Sequence, residues 1–168
     1  MPIPDFVARL RERIGHDLLP MVGVTGVVQD DTGRVLLGQR ADTGRWALPS
    51  GILEPGEQPA PALEREILEE TRVHARVDAL IAVWAQPPMT YPNGHQAQYL
   101  DLLFACRYVA GQAAVGDDES LAVGWFDPAG LPAGTNERSR ANLARALAFQ
   151  GPTWFDRGPE PGTGLPPD

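Results

Sequence analysis

The chain has no lysine: all 14 of its basic residues are arginine. That absence excludes Schiff-base chemistry and the lysine of a phosphate-binding P-loop. It leaves arginine, which grips phosphate through two parallel hydrogen bonds. A single cysteine, Cys106, excludes an internal disulfide. It stands in the apolar run Leu102-Leu103-Phe104-Ala105-Cys106 and reads as a buried core thiol. No run approaches the ~18 apolar residues of a membrane helix. The opening Met1-Pro2-Ile3-Pro4-Asp5 lacks the basic-then-apolar order of a signal peptide. These features predict a cytoplasmic protein without a membrane partner. A positive surface is also missing. The net charge is -8, which argues against stable nucleic-acid binding. It does not argue against a small phosphorylated substrate, because a bound cation can supply local positive charge. His16, His74 and His95 are scattered without zinc-ligand spacing.

What is present is enough for one core. At 168 residues and 43% hydrophobic content, the chain predicts a single domain over 1–150. Phe6, Leu10 and Ile14 predict a short helix over 5–14. The β-branched run 21–28, the turn Asp30-Asp31-Thr32-Gly33 and the run 34–38 predict a pair of strands. A short strand is expected around Trp46-Ala47-Leu48, then a polar loop over 52–59 and a helix over 60–71. Strands fit 73–86 and 97–108 around a hairpin turn at Pro92-Asn93-Gly94. A last strand fits 121–126 and a last helix 136–149. The proline- and glycine-rich segment 151–168 reads as a loose tail. Strands interleaved with flanking helices predict an α/β (α+β) sandwich.

The chemistry is concentrated between Gly51 and Val73, in GILEPGEQPAPALEREILEETRV. On a helix, Glu66, Glu69 and Glu70 stand at i, i+3 and i+4, so three carboxylates share one face. Arg65 lies four before Glu69 and can pair with it. Leu63 and Ile67 face another way and anchor the helix in the core. Like charges at this spacing cost roughly 0.2–0.5 kcal/mol per pair. A hard divalent cation, which takes oxygen ligands, removes that penalty. Glu57 in the preceding loop can fold back onto the same cluster.

Written as spacing, the stretch is Gly51, five residues, Glu57, seven residues, Arg65-Glu66-Ile67, one residue, Glu69-Glu70, one residue, Arg72-Val73. This resembles the Nudix box, G-x5-E-x7-R-E-U-x-E-E-x-G-U with U aliphatic, at eight of its nine specified positions. The order of surrounding elements is similar over about 21–149. The resemblance implies an α/β/α sandwich with a mixed sheet. It implies Mg²⁺ or Mn²⁺ held by Glu66, Glu69 and Glu70, with the Gly51 carbonyl and Glu57 contributing. Arg65 is implied to support the cluster. It further implies a pyrophosphohydrolase that cuts a diphosphate linkage in a nucleotide-like substrate, either a nucleoside triphosphate or an ADP-ribose type, by in-line water attack. Glu70 is the first choice of base and Glu66 the second; outside the box, Glu119 in the acidic turn Asp117-Asp118-Glu119 is the candidate. Arg40, in Gln39-Arg40-Ala41, matches a phosphate-contacting arginine of MutT-like members. Asn136 matches a base-reading asparagine of the same members, although an asparagine opening a helix is also an N-cap. Trp46 is a candidate stacking platform for a base. A non-catalytic nucleotide sensor on the same fold is the alternative; a sensor is free to lose its glutamates, and here all three remain. A homodimer is left open. The one departure in the box is Arg72, where the family has a glycine that ends the helix in a left-handed conformation. A side chain there costs roughly 1 kcal/mol or forces a different ending. Ser50 replaces a common glycine just before the box.

Overall fold

The computed structural model describes residues 4–158. The elements run α1 (Asp5–Ile14), β1 (Leu19–Gln29), β2 (Val35–Arg40), β3 (Trp46–Ala47), β4 (Ser50–Ile52), α2 (Pro59–Thr71), β5 (Val73–Ala85), β6 (Met89–Thr90), β7 (Gln96–Gly111), β8 (Ser120–Phe126), α3 (Glu137–Leu147) and β9 (Trp154–Phe155). A short 3₁₀ turn at Pro128–Gly130 precedes α3.

β1 is apolar almost throughout because it is central and covered on both faces. It pairs in parallel with β7, from Leu19↔Ala97 to Gln29↔Arg107. On its other edge it meets β4, with Val24↔Gly51, and β2, with Gln29↔Val35. β5 runs antiparallel to β7, and β8 antiparallel to β2, so the sheet is mixed. Alternation sorts the core into two layers. Val24 and Val28 join Leu63 and Ile67 of α2 on one face. Val27 and Leu103 join Leu143 of α3 on the other. Gly26 lets α2 approach closely: a Cβ there would lie 3.2 Å from Ile67. The architecture is therefore the expected α/β/α sandwich. No helix among the described residues is long and apolar enough to cross a membrane. Cys106 is buried in the α2 layer, and burial pushes its thiol up to about 12.

Three local details differ from the sequence expectation. α1 has the predicted span, but its buried residues are Val7 and Arg11, while Leu10 is exposed. Arg11 is buried because the carbonyls of Gly15, Asp17 and Gln96 take its guanidinium hydrogens. The Asn-Gly turn does form, but the short β6, rather than β5 directly, opens its hairpin with β7 (Thr90↔Gln96). The third difference is in the segment read as a loose tail. Trp154 and Phe155 form β9, parallel to β5 at Ala82 and Val83. Thr153 Oγ1 donates to the Leu80 carbonyl at 2.8 Å, and the Arg145 guanidinium sits 4.4 Å from the Trp154 ring centroid. The open edge of β5 offers backbone partners that composition cannot reveal. Residues 159–168 of that segment lie outside the described residues. Removing Thr153 onward is expected to lower the melting temperature by about 2–4 °C, roughly 1 kcal/mol for a domain of this size. Turnover should be unchanged, because β9 is at the opposite edge of the sheet from β2 and β3, and β4, which carries Gly51, pairs with β1 rather than with β5. A large fall in kcat at unchanged melting temperature would refute this placement of its role.

Candidate active site

α2 begins after the polar loop with Pro59 in its first turn, where a missing N–H costs nothing. Its apolar side, Ala62, Leu63, Ile67 and Thr71, is buried against the sheet, which turns Arg65, Glu66, Glu69 and Glu70 toward β4 and the loop before β8. Gly51 on β4 lies against Glu66 so closely that any Cβ at Gly51 would fall on the Glu66 carboxyl. Burial pushes Glu66 up to about 7, with Arg65 opposing and Glu69 adding to the rise. Glu70 is pushed up to about 8, first by burial, then by the negative charges of Glu66, Asp117 and Glu119. Two neighbouring carboxylates that resist ionisation mark a site short of positive charge.

Arg65 is the organiser of this face. Its Nε and Nη2 donate to the two oxygens of Glu57 at 2.9 and 3.0 Å. Its Nη1 donates to Glu69 at 2.9 Å and lies 3.2 Å from Glu66 Oε1. The bidentate bond holds Glu57 below its ordinary pKa. The loop carboxylate thus folds back, as expected, but onto Arg65. No group of three or more His, Cys, Asp or Glu side chains among the described residues is gathered tightly enough to enclose a metal. The donor set itself fits a hard divalent cation: carboxyl oxygens beside a backbone glycine, with Glu66 and Glu70 short of the positive charge that would ionise them.

The end of α2 explains the departure at Arg72. Arg72 occupies the left-handed region, φ 59° and ψ 15°, as the missing glycine would. Its backbone N–H donates to the Leu68 carbonyl, and its guanidinium donates to the Gly116 carbonyl. The loop returns the contact: Ala114 N–H donates to the Thr71 carbonyl and Gly116 N–H to the Glu70 carbonyl, both at 3.0 Å. The helix end is therefore satisfied by the loop that carries Asp117 and Glu119. Arg72→Gly trades about 1 kcal/mol of left-handed strain for the lost guanidinium bond, so its unfolding free energy should stay within about 1 kcal/mol of wild type. Arg72→Val keeps the strain and loses the bond, and should be less stable than Arg72→Gly by at least about 1 kcal/mol. Urea unfolding of the pair decides; equal stabilities would mean that the left-handed backbone is not retained.

The residues expected outside the box are distributed unevenly. Arg40 ends β2 near Glu70 and Glu119; a bidentate bond from Arg40 to Asp42, at 2.9 and 2.6 Å, raises its pKa, and both glutamates add to the rise. Glu119 is joined to the same strand end, its carbonyl accepting from Ala41 N–H at 2.7 Å. Burial raises its pKa. Trp46, expected as a stacking platform, packs its ring edge-on against Phe126, 4.9 Å between centroids, beside the α3-side core. Asn136 borders the cavity, but its side-chain oxygen caps α3 by accepting from Ser139 N–H at 2.7 Å. Its N-cap role accounts for its position.

A cavity of about 670 Å³ opens beside the box, reached past Arg40, Ser50 and Gly51. Sequence reasoning missed two of its polar walls, Asp101 on β7 and Asn142 on α3. The available signal was a charged residue interrupting the apolar strand Leu100-Asp101-Leu102-Leu103.

Comparison with known proteins agrees with this arrangement. The family model of the NUDIX domain matches residues 19–147. A MutT-like protein of Streptomyces ambofaciens is 36% identical over 134 residues, which cover 80% of this chain and 81% of that protein. An ADP-ribose pyrophosphatase of Methanocaldococcus jannaschii is 35% identical, covering 68% of this chain and 66% of its own. Among solved structures, an ADP-ribose pyrophosphatase from Streptococcus suis superposes with a TM-score of 0.62 at 20% identity, over 82% of this chain and all of the other, a likeness of fold. With the box on α2, the sandwich around it and a family match over most of the chain, this protein belongs to the Nudix family of hydrolases.

Proposed function

We propose that the protein is a divalent-metal-dependent pyrophosphohydrolase acting on a nucleoside diphosphate derivative, either a nucleoside triphosphate or an ADP-ribose type. The carrying observation is the pair Glu66 and Glu70, pushed up to about 7 and 8, with Glu66 against Gly51 and Glu70 near Arg40, two residues that line the cavity. A bound cation would neutralise charge on the phosphate oxygens and make water a better nucleophile. Glu66, Glu69 and Glu70, with the Gly51 carbonyl, are the residues to hold it. Glu57 and Arg65 keep that face in place, and Glu69 leaves Arg65 to take part. Glu70, on the same helix face as Glu66, takes the proton of the attacking water. Glu119 lies near enough to influence Glu70 and is the second candidate for that proton. Arg40 faces the phosphates across Glu70, and the nucleoside enters the cavity. Relatives named MutT-like protein, putative 8-oxo-dGTP diphosphatase and ADP-ribose pyrophosphatase support this substrate class without choosing within it.

The test is a panel of nucleoside triphosphates, ADP-ribose and dinucleoside polyphosphates, each assayed with MgCl₂ and with EDTA. Metal-dependent release is expected, and products distinguish the two classes: pyrophosphate plus a nucleoside monophosphate, or AMP plus ribose 5-phosphate. Failure to turn over any of them, or turnover indifferent to EDTA, would refute the proposal.

A further inference from the structure

The cavity beside the box holds two polar side chains that no part of the phosphate chemistry uses. Asn142 is 3% exposed and Asp101 is 2% exposed, yet both line the cavity. Among the described residues no hydrogen bond occupies the Asn142 amide, which offers both donors and an acceptor. Asp101 is fixed at one oxygen only. Gln86 Nε2 and Arg138 Nη2 both donate to its Oδ2. Its Oδ1 lies over Gly23, where a Cβ would stand 2.7 Å away, so the missing side chain at Gly23 makes room for the carboxylate. Among the described residues, no hydrogen bond reaches that oxygen. Around these groups the wall is apolar, with Met21, Val24, Leu48 and Ile52. A flat heterocycle with hydrogen-bonding atoms on one edge is the ligand chemistry that such a chamber suits, and its volume falls in the range of small-molecule sites.

We infer that Asp101 and Asn142 are the specificity-determining pair of this cavity, together reading the edge of a purine on which an N–H donor stands beside an acceptor. Asp101 Oδ1 accepts from the donor, and the Asn142 amide donates to the neighbouring acceptor. Adenine meets the pair with its amino group and N1; guanine meets it with N1–H, its amino group and O6. An unsubstituted purine offers acceptors alone on that edge and leaves Asp101 without a hydrogen to accept. Gln86 and Arg138 are positioning residues, because they hold the carboxylate without lining up a second acceptor against the base. The inference rests on reading the protein as a nucleotide hydrolase, but it assigns residues to the base rather than to the phosphates.

Binding by calorimetry tests it with AMP, GMP, purine riboside 5′-monophosphate and ribose 5-phosphate, against wild type, Asp101→Asn and Asn142→Ala. Wild type should bind AMP or GMP at least about tenfold more tightly than the unsubstituted purine nucleotide, and ribose 5-phosphate weakest of all. The preference of AMP over GMP, or the reverse, identifies the natural base. Asp101→Asn should bring the substituted and unsubstituted purines to within about twofold, whereas Asn142→Ala should weaken all three purine nucleotides by about fivefold or more and leave ribose 5-phosphate unchanged. Circular dichroism and melting temperature establish that each variant is folded. Asn142→Ala, which breaks no hydrogen bond within the protein, keeps the test decisive if Asp101→Asn is destabilised. Equal affinity of wild type for all three purine nucleotides, discrimination that survives in folded Asp101→Asn, or purine affinity unchanged in Asn142→Ala overturns the inference. Because turnover is not read, absent hydrolysis with intact discrimination would count against the enzyme reading alone. Intact hydrolysis without discrimination would count against the base-reading pair alone.

Discussion

Glu70→Gln is expected to lower kcat by at least about a thousandfold, roughly 4 kcal/mol of barrier, while the protein stays folded. The substitution keeps the size of the side chain and removes both its charge and its basicity. The structure adds an expectation on stability. Burial and the neighbouring Glu66, Asp117 and Glu119 push Glu70 up to about 8, so the folded protein already prefers this group neutral. Glutamine is permanently neutral. Near pH 9, without metal, Glu70→Gln should therefore melt no lower than wild type. Turnover and thermal unfolding are measured on one preparation. Activity within about tenfold of wild type would remove Glu70 from an essential role and turn attention to Glu119, which stands nearby on the loop tied to Ala41.

Divalent metal should raise the melting temperature by more than salt does, and the excess should grow with pH. Glu66 and Glu70 have folded pKa values of about 7 and 8, above their ordinary value of 4.5. Their contribution to stability is therefore fully present below about pH 4.5 and is lost as pH rises through 7 and 8. Metal-free protein should melt lower at pH 8.5 than at pH 5 on their account. Glu57 and Asp42, held down by hydrogen bonds from Arg65 and Arg40, have the opposite sign, and their effect appears only below about pH 4.5. A cation that binds the ionised cluster competes with those protons. At 100 times Kd it adds roughly 2.7 kcal/mol, or about 5–10 °C for a domain of this size. The comparison is MgCl₂ against NaCl at equal ionic strength, at pH 5 and pH 8.5, for wild type and Glu66→Gln. Glu66→Gln should shrink the excess. Equal shifts from the two salts in wild type would reduce the effect to screening and sink the metal site.

How much of this was legible beforehand depends on which forces act locally. α2 was readable within a residue because its apolar stripe and its fixed acidic positions are properties of adjacent turns. The left-handed ending at Arg72 could be anticipated, but the Gly116 carbonyl that rewards it could not, since the two are brought together only by the fold. β4 and β9 are too short to carry a periodic pattern; each exists because a strand edge nearby supplies partners. Trp46 illustrates the limit for aromatics: the residue type suits both a base platform and a core, and its edge-on contact with Phe126 is made only by the fold. Asp101 and Asn142 sit on elements predicted correctly, yet their burial depends on what faces them across the cavity.

The parallel pairing of β1 with β7 carries a consequence for how the chain reaches its native state. Leu19 waits for Ala97, and Gln29 waits for Arg107. A chain synthesised from its N-terminus can close one edge of β1 as soon as β2 and β4 have emerged. The other edge stays bare while the whole box helix and β5 are made. Closing so long a loop is slow, and the waiting edge is a flat apolar template for any other strand. Nascent chains halted before β7 are thus the most aggregation-prone form of this protein, and the box helix completes its folding on a sheet that is still open at its centre.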